Sequence, residues 1–208
     1  MTEVDRLARP ATDVVPQFDV VAIGASAGGV EALHVVVSAL PAALPATVLI
    51  VQHMDPRHKS MLAGLLARRS RMAVRQAVHG EAVQRGTVYI AQPDMHLIVR
   101  DGHLALTDTK LVHFSRPSID LLFESVADAY GDRAIGVILS GTGLDGATGV
   151  RAIKAKGGTT IIQDPASAAH PGMPQAARAT GAVDLTLPLE EIGLALASLI
   201  VPTSGDDA

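Results

Sequence analysis

The chain has 208 residues, 17 of them basic and 21 acidic, which gives a net charge of −4 at pH 7. That length suits one domain, and 48 % hydrophobic residues can fill a sizeable core, which excludes a disordered chain. Two Tyr, three Phe and no Trp argue against a stacking platform for single strands; the acidic balance argues against bulk phosphate binding; zero cysteines exclude disulfides and thiolate chemistry.

Residues 1–17 are expected to form a flexible N-terminal arm, 18–200 the folded domain, and 201–208 a flexible tail. Within the domain, 19–23 (DVVAI) reads as a strand ending at Gly24, and 30–40 as a helix stopped by Pro41. A buried strand follows at 47–52 (TVLIVQ), then a helix at 60–69 with Ser60 as its N-cap. Strands are expected at 74–78 and 87–90, and 96–99 and 103–107 flank Asp101-Gly102, a hairpin signal. Helix 117–130 carries proline in its first turn, and 134–139 (AIGVIL) is another unbroken apolar strand. The remaining elements are helix 145–156 ending at Gly157-Gly158, strand 159–163, helix 174–180, strand 183–187 and helix 189–200.

Alternating strands and helices define an α/β domain. Strands without polar alternation suit a doubly wound, mostly parallel sheet flanked by helices, with the hairpin near 87–107 as an antiparallel insertion at one edge. Such sheets bind ligands beyond the carboxyl ends of their strands, so the residues just after strands are the ones to inspect.

The first such turn is Gly24-Ala25-Ser26-Ala27-Gly28-Gly29. A dinucleotide fingerprint needs glycine where Ser26 stands, and an acid at the end of the next strand, where Gln52 and His53 stand and Asp55 comes late. The turn also fits a plain glycine turn with a capping serine, or G-x-S-x-G, a nucleophile turn whose following helix supplies amides for an oxyanion. His53, after the second strand, is a candidate base, and Asp145, after 134–139, is a candidate orienting acid; each also fits a capping role. Three such groups at three strand ends make a Ser-His-Asp triad the economical account. The spacing of His53, Asp55 and His58 resembles some zinc spacings, but Pro56 interrupts it and no H-E-x-x-H helix is present, so no metal is expected.

With IGASAGGVEAL at 23–33, VQHM at 51–54, RPSIDLLFESVA at 116–127, GVILSGTGLDGATG at 136–149 and GMPQAA at 172–177, the sequence resembles the CheB family of chemotaxis protein-glutamate methylesterases, from about residue 19 to 200. The resemblance implies hydrolysis of γ-glutamyl methyl esters on chemoreceptors with release of methanol, and in some members deamidation of receptor glutamines. It implies Ser26 as nucleophile, His53 as base and acid, Asp145 as its orienting partner, backbone N–H groups of Ala27 and Thr142 at the oxyanion, and Met54, Met173 and Pro174 lining the cleft. No cofactor is implied. The implied partners are methylated cytoplasmic helices of chemoreceptors, with no nucleic acid and no membrane insertion; the expected location is cytoplasmic and the expected state a monomer.

The sequence departs from the family at Ala27, where threonine is common, at Thr142-Gly143-Leu144 before the aspartate, and at Phe114-Ser115 before Arg116. Many members carry an N-terminal receiver domain, whereas about 17 residues precede the first strand here, so the expectation is a catalytic domain controlled, if at all, by a separate regulatory protein. From residue 56 to 80 the chain holds Arg57, Lys59, Arg68, Arg69, Arg71 and Arg75 and no acid, a face suited to steering an acidic partner or simply a solvated helix end. The alternative to an esterase is a catalytically silent binding module on the same fold.

Overall fold

The computed structural model describes residues 17–54 and 60–201. The expected arms fall almost wholly outside these residues, as do Asp55, Arg57, His58 and Lys59.

Seven parallel strands form the main sheet, in the order β3-β4-β2-β1-β7-β8-β9. They are β1 (Val20–Ala25), β2 (Thr47–Gln52), β3 (Ala73–Gln76), β4 (Thr87–Ile90), β7 (Ala134–Ile138), β8 (Thr159–Gln163) and β9 (Leu185–Leu187). Strands β5 (His96–Arg100) and β6 (His103–Thr107) form the expected hairpin as a separate antiparallel pair. Strand β4 does not belong to that hairpin: it lies in the main sheet, parallel to both β2 and β3.

Helices cover both faces, and the period of two along each strand decides which face each residue serves. Val21, Ile23 and Ala25 of β1, with Val48 and Ile50 of β2, pack under α1 (Gly29–Ala39), α2 (Leu62–Ala67) and α6 (Leu189–Ile200). Val20 and Ala22, with Leu49 and Val51, face α3 (Ile119–Tyr130), α4 (Ala147–Ala155) and α5 (Gly172–Ala179), together with Leu97 and Leu104 of the hairpin. Both faces of β1, β2 and β7 are fully buried, which is why these strands read as continuous apolar runs.

Two close approaches place the ends of α3 and α4. A Cβ on Gly149 would stand 2.5 Å from Cβ of Phe123, so only glycine lets α4 lie this near α3. A Cβ on Gly24 would stand 2.4 Å from Cγ2 of Ile119, the first residue of α3, so the start of that helix sits against the end of β1. Strand order changes direction at β1, between β2 and β7, and the crevice at that point is where a doubly wound sheet holds its ligand.

Among the described residues no helix is long and apolar enough to cross a membrane.

Candidate active site

Ser26 follows β1, His53 follows β2, and Asp145 lies in the turn between β7 and α4. The pairing Ala25↔Gln52 makes Ser26 and His53 neighbours one residue past the last matched pair. Side chains stitch the three turns together. Gln52 Nε2 donates to the carbonyls of Ser26 and His53, both at 2.8 Å. The Ser26 N–H donates to the Ser140 carbonyl at 3.0 Å, and Ser140 Oγ donates to the Ala27 carbonyl at 2.8 Å. The His53 N–H donates to the Ala25 carbonyl at 3.0 Å.

His53 Nε2 lies 2.9 Å from Oδ2 of Asp145, 92 residues away in sequence. An ionised carboxylate accepts only, so Nε2 carries the proton and Nδ1 of the neutral ring is left as the acceptor. Asp145 is 4 % exposed and fully engaged. Its Oδ2 also accepts from the Ile119 N–H at 2.9 Å; its Oδ1 accepts from Ser118 Oγ at 3.0 Å and from the Asp120 N–H at 2.9 Å. Burial pushes the Asp145 carboxyl up, but the His53 bond and the amides of Asp120 and Ile119 outweigh it and hold the group below the ordinary aspartate value of 3.8.

Sequence reasoning missed the residues behind this carboxylate. Ser118 caps α3, accepting from the Leu121 N–H at 3.4 Å. Its own N–H donates to Nδ1 of His96 at 3.1 Å, which leaves Nε2 of His96 to donate to the Lys110 carbonyl at 3.1 Å. Ser118 and His96 are both fully buried, so this second Ser-His-Asp grouping has no access for a substrate and serves to hold Asp145. Asp120 is also buried; its Oδ1 accepts from the N–H groups of Gly146 and Gly149, at 2.9 and 2.7 Å, and His113 Nε2 lies 3.2 Å from its Oδ2. Burial, reinforced by the nearby Asp145 charge, raises the Asp120 carboxyl above 3.8 despite those amides.

Ser26 and Ala27 are half-buried and Thr142 is exposed. The N–H groups of Ala27 and Thr142 donate to no acceptor among the described residues, so both are available to a ligand oxygen. Met54 lines a hollow of about 360 Å³ with His53, Asp94, Leu111, Phe114, Ser115 and Arg116. Met173 and Pro174 are buried. A Cβ on Gly141 would stand 2.1 Å from Met173 Sδ and 2.8 Å from Ser26 Cβ, so these three residues share one tight contact. Of the basic stretch, Arg68 and Arg69 line a hollow of about 280 Å³ between α1 and α2 with Glu31, His34 and Leu65, away from this site.

An imidazole oriented by a buried carboxylate, beside a serine at a helix N-terminus with free amides nearby, can activate a hydroxyl and hold a tetrahedral oxyanion.

Comparison with known proteins agrees with this chemistry. Residues 21–196 match the family model described as CheB methylesterase. A protein-glutamate methylesterase/protein-glutamine glutaminase of Anaeromyxobacter dehalogenans is 46 % identical over 183 residues, covering 88 % of this chain and 54 % of that protein. A putative protein of the same description from Leptospira interrogans is 37 % identical over 176 residues, covering 84 % of this chain and 91 % of that one. The crystal structure of the CheB methylesterase catalytic domain of Thermotoga maritima superposes with a TM-score of 0.84 at 35 % identity, covering 88 % of this chain and 99 % of that one. Apart from the Leptospira protein and its like, the chain spans about half the length of the curated relatives it matches.

Proposed function

Because the chain belongs to the CheB methylesterase family, we propose that it hydrolyses γ-methyl esters of glutamate on the cytoplasmic helices of chemoreceptors, releasing methanol, and deamidates glutamines presented in the same way. The site of action is the cytoplasm, where those helices lie, and the domain over 18–200 works as a monomer, open to control by a separate regulatory protein.

In this reading Ser26 Oγ attacks the ester carbonyl carbon as Nδ1 of His53 takes its proton. Asp145 holds the imidazole through Nε2 and stabilises the imidazolium that forms. The N–H groups of Ala27 and Thr142 receive the oxyanion. His53 returns the proton to the departing methoxide, which leaves as methanol. Water, activated by His53, then cleaves the acyl-enzyme, freeing glutamate and Ser26. Nothing in this cycle calls for a metal or a cofactor.

The observation that carries the reading is the 2.9 Å contact between His53 Nε2 and Asp145, at strand ends flanking the one that bears Ser26. A silent module has no use for a carboxylate held by three donors against an imidazole. Methanol release from methylated chemoreceptor fragments tests it. Ser26→Ala is expected to lower turnover by about three orders of magnitude or more. Equal release by the variant would move the chemistry away from Ser26, and no release by either protein would favour the silent module.

A further inference from the structure

Of the five aromatic residues, Phe18, Tyr89 and Phe123 are buried and Tyr130 is half-buried. Phe114 is the exception, 97 % exposed. Water does not favour such a placement, and the backbone does not favour it either. Val112 and Ser115 exchange two backbone hydrogen bonds, at 3.2 and 2.8 Å. The two residues between them, His113 and Phe114, have φ of 48° and 62°. These are the positive angles of a type I′ turn, a conformation suited to Asn and Gly and strained for a bulky aromatic. Such strain persists only where the surroundings enforce it.

The surroundings here do so at both ends of the turn. On one side His113 Nε2 lies 3.2 Å from Asp120 Oδ2. On the other, Arg116 Nε donates to Asp94 Oδ1 at 2.8 Å, and its Nη1 donates to the carbonyls of Asp108 and Thr109 at 2.7 and 2.9 Å. The turn is a braced ridge with hollows on its two flanks. Phe114 and Leu111 border the hollow of about 360 Å³ that contains His53 and Met54. His113 borders another, of about 340 Å³, with Leu144, Thr148 and Arg151. Leu111 and Leu144 are 55 % and 63 % exposed, so apolar surface continues along the ridge.

The geometry points to Phe114 as a specificity-determining residue that grips an apolar side chain of the protein substrate next to the esterified glutamate. This rests on the methylesterase reading, because the occupant is the polypeptide that carries the ester. The continuity of the hollow fixes that occupant. His53 and Phe114 line one hollow, so an ester bound at His53 sets its flanking chain beside Phe114, whereas a small ester brings no flanking residue to it.

The test separates binding from chemistry. A fluorescently labelled methylated receptor fragment is titrated with Ser26→Ala and with Ser26→Ala/Phe114→Ala. Turnover of the same fragment and of N-acetylglutamate γ-methyl ester is measured for wild type, Phe114→Ala and Phe114→Leu. The expected results are about tenfold weaker binding without the phenyl group, and a rise in KM on the fragment at least several times larger than any loss on the small ester. Phe114→Leu should recover most of the difference. Unchanged affinity, no measurable binding to either protein, or equal losses on both esters would overturn the proposal. A changed oligomeric state at unchanged affinity would also overturn it, by assigning the ridge to a second copy. Absence of turnover of either ester by wild type would instead refute the methylesterase reading, and the binding titration would still decide the role of Phe114.

Discussion

Asp120 and Asp145 cap each other's helices. The Asp120 N–H, at the start of α3, donates to Oδ1 of Asp145 at 2.9 Å, while Oδ1 of Asp120 accepts from Gly146 and Gly149 at the start of α4. Each helix N-terminus thus receives a carboxylate carried by the segment of the other, which suits the positive end of a helix dipole. The exchange leaves the two acids in opposite states of ease. Asp145 has four donors and ionises readily; Asp120, dominated by burial and crowded by the charge on Asp145, does not.

Asp120→Asn is expected to stabilise the protein at neutral pH and to do so less in acid. In the wild type the raised carboxyl value means that ionisation costs the folded state stability. That cost is absent below the unfolded value of 3.8 and grows as pH rises through the folded one. Asparagine keeps the oxygen used by Gly146 and Gly149 without the charge. The gain in Tm over wild type should be about 2–4 °C larger at pH 7.5 than near pH 3.5, read by thermal denaturation at both values.

Asp145→Asn reverses the sign. The depressed value of Asp145 contributes stability that is present above 3.8 and lost as pH falls through the folded value, below 3.8. The variant should lose about 2–3 kcal/mol at pH 7, because an amide NH₂ must face two of the four donors. It should also show a shallower acid slope in urea denaturation. Its turnover should fall by about 10³–10⁴, since the His53 tautomer loses its anchor.

Ser26 follows β1 and Ser118 bonds the Asp145 carboxylate, and substitution tells the two serines apart. Ser118→Ala removes an N-cap and the bond to Asp145 Oδ1, at a cost of about 1 kcal/mol. It should retain turnover within about tenfold of wild type, against the loss of three orders of magnitude expected for Ser26→Ala. A comparable collapse in both would assign chemistry to the buried serine.

Gly141→Ala should damage the site more than the fold. Met173 can swing its sulfur away from the new methyl group, but Ser26 Cβ, 2.8 Å from it, is fixed by its own backbone. Displacing Ser26 by even about 1 Å costs about 10²-fold in rate. Tm should fall by a few degrees, while ester turnover falls about a hundredfold; preserved turnover would show that the Ser26 turn is free to shift.

The strands that carry the site were legible because burial on both faces leaves an unbroken apolar run, as in 47–52 and 134–139. Their neighbours in space follow from the sheet rule, so position at strand ends, together with the G-x-S-x-G turn, singled out Ser26, His53 and Asp145 as candidates. What supports them did not. Ser118 and Asp120 look locally like an ordinary helix cap and first-turn acid, and their bonds to Asp145 and to Gly146 depend on a helix crossing made possible by Gly149. Gln52 carries a faint signal, a polar residue closing an apolar strand. Met173 is buried against Gly141, a packing that the composition of its segment does not announce. The segment 87–90 joined the main sheet because its partners, β2 and β3, are set by tertiary packing, which a four-residue strand does not announce.

The placement of β1 between β2 and β7 also orders events during synthesis. Ser26 and His53 leave the ribosome before Asp145, which follows His53 by 92 residues. Until then the imidazole has no carboxylate to fix its proton, and β1 lacks its second neighbour. A growing chain therefore holds Ser26 and His53 before it holds the carboxylate that orients the imidazole, and under the proposed triad hydrolysis waits until β7 pairs with β1.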